Sequence, residues 1–300
     1  MATPIVPDSE HRGLVARLPR PVRGYALLAR FDRPIGWWLL FWPGAWAVAL
    51  AGAAVWRWEL ILWLLLGSVA MRGAGCVYND LVDRDLDAQV ARTAARPIPS
   101  GLVSPRAAAA WMAALCLVGL VVLVQLTPRA AAVAVGSLAL VGAYPFMKRI
   151  TWWPQAWLGL VFSWAAVVAW VEVTGGFGAA GALLYAGSVA WVIGYDTIYA
   201  LQDREDDALV GVRSSALALG GRVRAGVAIF YAAALLLWAA AVWRVRPDPV
   251  ALVALLPAAL HLGWQVATLR PGDGEGALRR FRSNRFAGLL VFLACLVVGS

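Results

Sequence analysis

The sequence predicts an all-α integral membrane protein with nine transmembrane helices and a cytoplasmic N-terminus. Of its 300 residues, 62% are hydrophobic and only 14% are charged, whereas a soluble domain averages about half apolar and about a quarter charged. Apolar stretches that could cross a bilayer as helices recur along the chain. A soluble protein would have to bury them all with almost no polar surface, which argues against that class. The stretches are 36–55, 60–79, 107–125, 130–146, 152–172, 181–200, 225–243, 249–267 and 286–299.

The positions of the basic residues predict the orientation. The net charge is +9, and the basic residues concentrate in alternate loops between the predicted spans. Loops on the opposite face hold only Arg57, Arg129, Arg244 and Arg246. Since cytoplasmic loops carry the excess of Lys and Arg, we place the N-terminus in the cytoplasm and, after nine crossings, the C-terminus outside. We interpret the positive charge as topological first, rather than as a nucleic-acid-binding surface.

No polar segment is long enough to be a linker between two soluble domains. We predict a cytoplasmic N-terminal segment at 1–30 and one transmembrane domain at 31–300. The first segment lacks a continuous apolar core, so we expect no cleavable signal peptide. The longer polar interruptions lie at 80–106, 201–224 and 270–285, and all three belong to the predicted cytoplasmic face.

Two short clusters hold nearly half of the 17 acidic residues. If the helix continues beyond the second apolar stretch, Asn79, Asp83 and Asp87 share one face at i, i+4 and i+8. Asp203 and Asp207 repeat the i, i+4 spacing. Stacked carboxylates repel each other unless a cation intervenes, and Mg²⁺ prefers hard oxygen ligands beside phosphates. These five residues therefore predict a Mg²⁺ site; the alternative is a pair of solvated helix ends.

Two charged residues lie inside predicted spans. Arg72 lies in the second span, and Asp196 lies in the sixth, flanked by Tyr195 and Tyr199. A charge at such depth costs several kcal/mol unless it faces a polar cavity, so we predict roles in substrate binding or catalysis for these four residues. The alternatives are snorkelling of Arg72 to the membrane surface and a structural hydrogen bond of Asp196.

Basic residues accompany the acidic clusters. Arg92 and Arg96 follow the first cluster, and Lys148 and Arg149 end the fourth predicted span. Guanidinium and ammonium groups beside a Mg²⁺ site are suited to neutralising diphosphate oxygens. Taken singly, each is explained as a positive-inside charge. Together with the carboxylates they predict a diphosphate-binding site at the membrane surface.

Several motifs resemble those of a known family. The run RGAGCVYNDLVDRDLD at 72–87 resembles the first signature of the UbiA superfamily of intramembrane prenyltransferases, and YDTIYALQDREDD at 195–207 resembles the second. The stretches DRPIG at 32–36, YPFMKR at 144–149 and GVRSS at 211–215 are similar to the 4-hydroxybenzoate polyprenyltransferase branch. The resemblance covers about residues 25 to 299.

This resemblance implies nine helices in a ring around a central cavity that opens to lipid. It also implies transfer of a polyprenyl group from polyprenyl diphosphate to the carbon ortho to the hydroxyl of 4-hydroxybenzoate. That reaction belongs to ubiquinone biosynthesis, in the bacterial inner (plasma) membrane or the mitochondrial inner membrane, with the active site facing the cytoplasm of a bacterium. Arg72 would face the aromatic acid. Mg²⁺ would be held by Asn79, Asp83, Asp203 and Asp207, and the diphosphate by Arg92, Arg96 and Lys148.

Several alternatives remain open from the sequence. Either Asp203 or Asp196 could polarise or deprotonate the phenol. Another member of the superfamily would prenylate a different acceptor, such as homogentisate, dihydroxynaphthoate or haem. A transporter would also place charges in its spans, but it should show interrupted helices with polar sites at mid-membrane, whereas here the polar groups gather at one face. The prenyl chain length, the preferred divalent metal and the oligomeric state are not encoded in a recognisable pattern.

Overall fold

A computed structural model of the chain describes residue 15 and residues 17–88, 93–202, 204 and 213–300, and all regular structure in these residues is helical. Two compact units make up the chain. The first comprises the described residues of Met1–Trp38 together with Leu65–Gln125, and the second comprises Leu39–Leu64 together with the described residues of Leu126–Ser300. The prediction of one domain over 31–300 stays a prediction.

The structure has thirteen described α-helices and one 3₁₀ turn, at Gly220–Arg222. In chain order the helices are α1 (Arg20–Leu28), α2 (Ile35–Leu50), α3 (Trp58–Val82), α4 (Arg84–Asp87), α5 (Pro105–Leu123), α6 (Pro128–Ile150), α7 (Pro154–Thr174), α8 (Ala179–Tyr199), α9 (Ser215–Leu219), α10 (Val223–Val245), α11 (Pro249–Val253), α12 (Leu256–Thr268) and α13 (Gly274–Gly299).

The first unit has its own apolar core. Leu28, Val77 and Leu115, from α1, α3 and α5, belong to one buried cluster. Tyr25 on α1 meets Trp111 on α5 edge to face, with ring centroids 5.9 Å apart, a favoured aromatic geometry. This packing holds the C-terminal end of α3, where the first acidic cluster begins.

The second unit is built around α8, which packs against α7, α10 and α13. Three tryptophans fill its core: the ring of Trp46 lies 5.0 Å from Trp191 and 5.2 Å from Trp238, measured between centroids. The close approach of α8 to α10 requires a glycine, because a Cβ atom at Gly187 would lie 2.6 Å from Trp238 Cδ1.

Buried amide side chains connect α8, α10, α12 and α13. Trp191 Nε1 donates to Asn284 Oδ1 at 2.9 Å, and the Tyr231 hydroxyl donates to Gln265 Oε1 at 2.7 Å. Gln265 Nε2 in turn donates to Asn284 Oδ1 at 3.3 Å. Gln265 and Asn284 are fully buried. A buried polar group stabilises a fold only when its hydrogen bonds are made, so these bonds fix how the four helices pack.

A second buried cluster lies at the N-terminal ends of α3 and α6 and the C-terminal end of α7. Glu172 accepts from Arg57 Nη2 at 3.0 Å and from the amide and hydroxyl of Thr127 at 2.7 and 2.8 Å. Arg57 also donates to Glu59 at 2.8 Å. The hydrogen bond to Glu172, before the contribution of Glu59, raises the pKa of Arg57 above its ordinary value.

The predicted membrane-spanning all-α architecture is confirmed, but the count of nine spans is not. Within the described ranges, seven segments are long and apolar enough to cross a bilayer. Helix α2 has 16 residues, about 24 Å of helix, which is less than the roughly 30 Å of bilayer hydrocarbon. Helix α8 is not among the seven. The seven are Trp58–Val82, Pro105–Leu123, Pro128–Met147, Pro154–Thr174, Ser215–Val245, Pro249–Thr268 and Gly274–Gly299.

The polar segment at 270–285, which was expected to be a loop, is helical for most of its length. Helix α13 begins at Gly274, where the side chain of Asp273 caps it by accepting from the Gly276 amide at 2.8 Å. The basic residues that suggested a loop lie on the first turns of this helix. One of them, Arg280, donates from Nε to Thr268 at 3.0 Å. Its charge is thus accommodated against the end of α12.

Candidate metal and substrate site

The first acidic cluster keeps a helical register. The Asp83 amide donates to the Asn79 carbonyl at 2.9 Å, and the Asp87 amide donates to the Asp83 carbonyl at 2.8 Å. This i to i−4 pattern continues from the end of α3 through the short α4. Asn79, Asp83 and Asp87 therefore lie on one face, as their spacing predicts, and both carboxylate side chains are buried.

The donor atoms of this face suit a hard cation. Asn79 Oδ1 is buried, and within the part of the chain that the structure describes it accepts no hydrogen bond. A buried amide oxygen without a donor is costly, and an oxygen-seeking cation such as Mg²⁺ would satisfy it. Among the described residues, no group of three or more His, Cys, Asp and Glu side chains could hold a metal ion. The face thus supplies part of a ligand set.

Asp80, on the same segment, belongs to an ion-pair network that also includes Asp87. Arg30 Nη2 donates to both of its carboxylate oxygens, at 2.9 and 3.0 Å. Arg96 Nη1 donates to Asp80 at 3.3 Å and to Asp87 at 2.6 Å. Arg96 and Asp87 were predicted to bind the diphosphate and the metal, respectively. In the structure they bind each other, so Arg96 lies directly beside the candidate metal face.

Arg72 lies inside α3, between Trp58 and Val82. Its Nη1 atom donates to Cys76 Sγ at 2.7 Å, one turn further along the helix. A Cβ atom at Gly36 would lie 2.7 Å from Arg72 Nε. The glycine at the start of α2 therefore provides the space for this guanidinium.

The end of α8 carries the other predicted residues. Tyr195 is fully buried and packs against Trp191 and Phe281, with ring centroids 4.8 and 5.8 Å away. Tyr199 contacts Phe281 at 4.5 Å. Asp196 lies between the two tyrosines in sequence and is only partly buried. These aromatic contacts indicate that Tyr195 is a packing residue. Asp196, in contrast, remains partly exposed at the protein surface.

The two serines of the motif at 211–215 make hydrogen bonds that stabilise the fold. The Ser214 hydroxyl caps α9 by accepting from the Leu217 amide at 3.4 Å. The Ser215 hydroxyl lies 2.6 Å from Thr197 Oγ1 on α8, and its amide donates to Gln155 Oε1 on α7 at 3.0 Å. Three elements therefore meet at Ser215, next to the end of α8. No sequence pattern indicated Gln155 as a partner of this motif.

The remaining basic candidates lie at the end of α6. Arg149 is exposed on its last turn, and Lys148 precedes it in the helix. Arg213 donates to the Ile150 carbonyl at 3.0 Å and lies 5.5 Å over the ring of Trp152. The chain that enters α9 is therefore attached to the end of α6.

Some predicted ligands cannot be located. Arg92, Asp203 and Asp207 lie outside the described residues, and so does the side chain of Lys148. Their roles stay predictions. Conversely, no sequence pattern indicated Arg30 as a site residue, although its hydrogen bond to Asp80 places it next to the candidate metal face.

Comparison with known proteins decides the family. Residues 40–296 match the family model described as the UbiA prenyltransferase family. The chain belongs to this family. The motif resemblance found in the sequence is therefore confirmed, over most of the length that it covered.

Curated members of the UbiA family resemble the chain closely. A protein of Arabidopsis thaliana named 4-hydroxybenzoate polyprenyltransferase, mitochondrial, is 41% identical over 278 residues, which cover 92% of this chain and 68% of that protein. A protein of Tolumonas auensis named 4-hydroxybenzoate octaprenyltransferase is 38% identical over 286 residues, which cover 94% of this chain and 100% of that protein.

Solved UbiA structures share the fold. An apo structure of a UbiA homolog from Aeropyrum pernix matches with a TM-score of 0.72 and 26% identity, over 87% of this chain and 97% of that one. A UbiA homolog from Archaeoglobus fulgidus, bound to GPP and Mg²⁺, matches with a TM-score of 0.65 over 92% of this chain and 99% of that one. Its identity is only 16%, so this second likeness concerns the fold alone.

Proposed function

We propose that this protein transfers a polyprenyl group from polyprenyl diphosphate to 4-hydroxybenzoate and releases diphosphate. The bond between the allylic carbon and the diphosphate oxygen breaks, and a carbon–carbon bond forms at the ring position ortho to the hydroxyl. The ring proton at that position is then lost. This is a membrane-bound step of ubiquinone biosynthesis.

The choice of 4-hydroxybenzoate as the acceptor rests on the relatives that the chain matches. The chain aligns with the full length of a relative named 4-hydroxybenzoate octaprenyltransferase, and mitochondrial relatives of similar identity carry the corresponding name. The residues in hand fit that chemistry. A guanidinium inside α3, at Arg72, matches the carboxylate of the acceptor, and the face of Asn79, Asp83 and Asp87 matches a metal-bound diphosphate.

Each group of residues has a distinct task in this proposal. Asn79, Asp83, Asp87, Asp203 and Asp207 would hold Mg²⁺, which supplies positive charge for the departing diphosphate when it is bound. Arg92, Arg96, Lys148 and Arg149 add further positive charge at the diphosphate oxygens. Arg72 orients the aromatic acid.

Protection from water is the second requirement of the reaction. An allylic cation reacts with water unless the site excludes it. The apolar helices provide that exclusion, and Tyr199, which is only partly buried near the end of α8, would contact the substrate. Asp196 or Asp203 accepts the phenol proton or polarises the hydroxyl.

The orientation in the membrane forms part of the proposal. The chain is a multi-span membrane protein, and the distribution of basic residues supports a cytoplasmic N-terminus. We place it in the bacterial inner membrane, or in the mitochondrial inner membrane of a eukaryote, with the acidic clusters on the cytoplasmic or matrix side. A cysteine introduced at Ser100 should react with an impermeant maleimide only after the membrane is opened, whereas one at Gly176 should react in intact cells.

The experiment is an acceptor competition in membranes that contain the protein. Geranyl diphosphate and MgCl₂ are supplied with 4-hydroxybenzoate, homogentisate and dihydroxynaphthoate, and products are identified by mass spectrometry. We expect 3-geranyl-4-hydroxybenzoate, and no product when EDTA removes the metal. Prenylation of another acceptor in preference would assign the protein to a different branch, and no product with any acceptor would refute the proposed activity.

A further inference from the structure

We propose that Arg30 and Asp80 form a positioning pair. The pair holds the guanidinium of Arg96 in the orientation in which it binds the diphosphate of the prenyl donor. The inference rests on the proposed function and assigns roles to two residues outside the predicted ligand set. Arg30 Nη2 donates to both carboxylate oxygens of Asp80, at 2.9 and 3.0 Å. Asp80 is 1% exposed, so its charge needs partners inside the protein.

The backbone of Arg30 indicates that its placement is constrained. Its φ angle is 57°, and among the described residues it is the one non-glycine residue with a positive φ. A residue with a Cβ atom disfavours this left-handed conformation, which persists only where the surrounding structure imposes it. Arg30 Nη1 also donates to the Leu27 carbonyl at 3.0 Å. The guanidinium is therefore held between the end of α1 and Asp80.

Arg96 receives its position from two carboxylates through one nitrogen. Its Nη1 atom donates to Asp87 at 2.6 Å and to Asp80 at 3.3 Å. Within the described parts of the chain, no further hydrogen bond to its Nε and Nη2 atoms is found. These two atoms form the edge of a guanidinium that binds two anionic oxygens at once. A diphosphate at the metal face would present such oxygens.

The charge of Arg30 determines how strongly Asp80 attracts Arg96. With Arg30 in place, Asp80 is already neutralised, and Arg96 lies closer to Asp87 than to Asp80. Without Arg30, Asp80 would be a buried carboxylate whose other cationic partner among the described residues is Arg96. Because attraction between charges is strong in a buried site, Arg96 would turn toward Asp80 and away from the diphosphate. The pair thus acts on the donor through Arg96.

The test is a double-mutant cycle on the full-length protein in detergent or membranes. The variants are Arg30→Ala, Arg96→Ala and the double variant, assayed with geranyl diphosphate and 4-hydroxybenzoate. Arg30→Ala should raise the donor KM about tenfold, the scale of one lost hydrogen bond to a charged group. The acceptor KM should stay within about twofold. Adding Arg30→Ala to Arg96→Ala should raise the donor KM no further, since the first residue acts through the second.

A binding measurement accompanies the kinetics. Geranyl S-thiolodiphosphate, which does not transfer its prenyl group, should raise the melting temperature of the wild type in MgCl₂ and raise that of Arg30→Ala less. The control is Arg84→Ala, whose guanidinium pairs with exposed Asp85 at 3.3 Å on the same segment. The donor KM of this variant and the rise in its melting temperature on binding should both equal the wild-type values.

Two results would overturn the inference: donor and acceptor KM values that rise equally in Arg30→Ala, or additive effects in the double variant. If Arg30→Ala does not fold, Arg30→Gln replaces it, because it removes the charge at similar side-chain length, and a wild-type donor KM in that variant also overturns the inference. Absence of prenyl transfer by the wild type would instead refute the proposed function. In that case the cycle is completed with thiolodiphosphate binding alone, which still tests the pair.

Discussion

Gly36 and Arg72 are in direct contact, because a Cβ atom at position 36 would lie 2.7 Å from Arg72 Nε. Real Cβ atoms do not approach a neighbour so closely, so the absence of a side chain at the start of α2 is what admits the guanidinium. The two residues are distant in the sequence, and each belongs to a different motif of the UbiA family. The contact therefore gives the glycine of the DRPIG motif a physical role in placing Arg72.

The first prediction concerns this contact. Gly36→Ala should displace the guanidinium of Arg72 and raise the KM for 4-hydroxybenzoate more than the KM for the prenyl diphosphate. Steady-state kinetics in membranes measures both constants. Gly136→Ala on α6 is the matched control, because a Cβ atom there meets nothing within 4 Å. Equal kinetics in the two glycine variants would contradict the assigned role of Gly36.

The second prediction concerns the carboxylate of the acceptor. Arg72→Ala should raise the KM for 4-hydroxybenzoate about tenfold, the scale of one hydrogen bond between charged groups. Methyl 4-hydroxybenzoate carries no charge at that position, so its KM should be similar in the variant and the wild type. A loss of the same size for both acceptors would mean that Arg72 does not recognise the carboxylate.

The third prediction concerns stability. Glu172→Ala removes the partner of Arg57 and Thr127 and should cost about 2–3 kcal/mol, somewhat less than for a fully enclosed ion pair. The expected fall in melting temperature in detergent is about 4 °C. The pKa of Arg57 is raised by its hydrogen bond to Glu172. The contribution of Arg57 is therefore present below its unfolded pKa and is lost only as the pH rises through its still higher folded value.

Glu59→Gln is the control for the third prediction. Glu59 also accepts from Arg57, at 2.8 Å, but 44% of its side chain is exposed. An exposed pair contributes at most about 1 kcal/mol, so this variant should melt close to the wild type. Equal destabilisation by both variants would show that the burial of Glu172 is not what matters.

The fourth prediction concerns the buried amides. Asn284→Leu leaves Trp191 Nε1 without its acceptor and removes one acceptor of Gln265 Nε2, and it should cost about 1–3 kcal/mol. The double variant Gln265→Leu with Asn284→Leu should cost less than the sum of the two single variants, since each partner's penalty is then counted once. Thermal unfolding of the three variants checks this, and simple additivity would argue against a coupled network.

The positions and lengths of the apolar stretches predicted most of the long helices. The span expected at 60–79 is α3, and the span expected at 225–243 is α10, each extended by a few residues. The start of α13 was not predicted, because the low hydropathy of the basic residues near Arg280 suggested a loop. Their guanidinium groups are accommodated by tertiary contacts, such as the bond from Arg280 to Thr268, that a sequence pattern does not contain.

The candidate site was predicted only where it depends on local spacing. The shared face of Asn79, Asp83 and Asp87 follows from helical periodicity, and the backbone hydrogen bonds agree. The pairing of Arg96 with Asp87 depends on how the chain folds back after α4, and the role of Arg30 depends on a left-handed backbone angle. Neither is visible in residue types alone.

We propose that both acidic clusters are needed to bind one metal-bound diphosphate. Mg²⁺-dependent binding of geranyl S-thiolodiphosphate can be measured with purified wild type, Asp83→Ala and Asp207→Ala, with folded protein verified by size-exclusion chromatography. Either substitution should abolish this binding while the protein remains folded. Binding close to that of the wild type in either variant would refute a role of both clusters in holding the diphosphate.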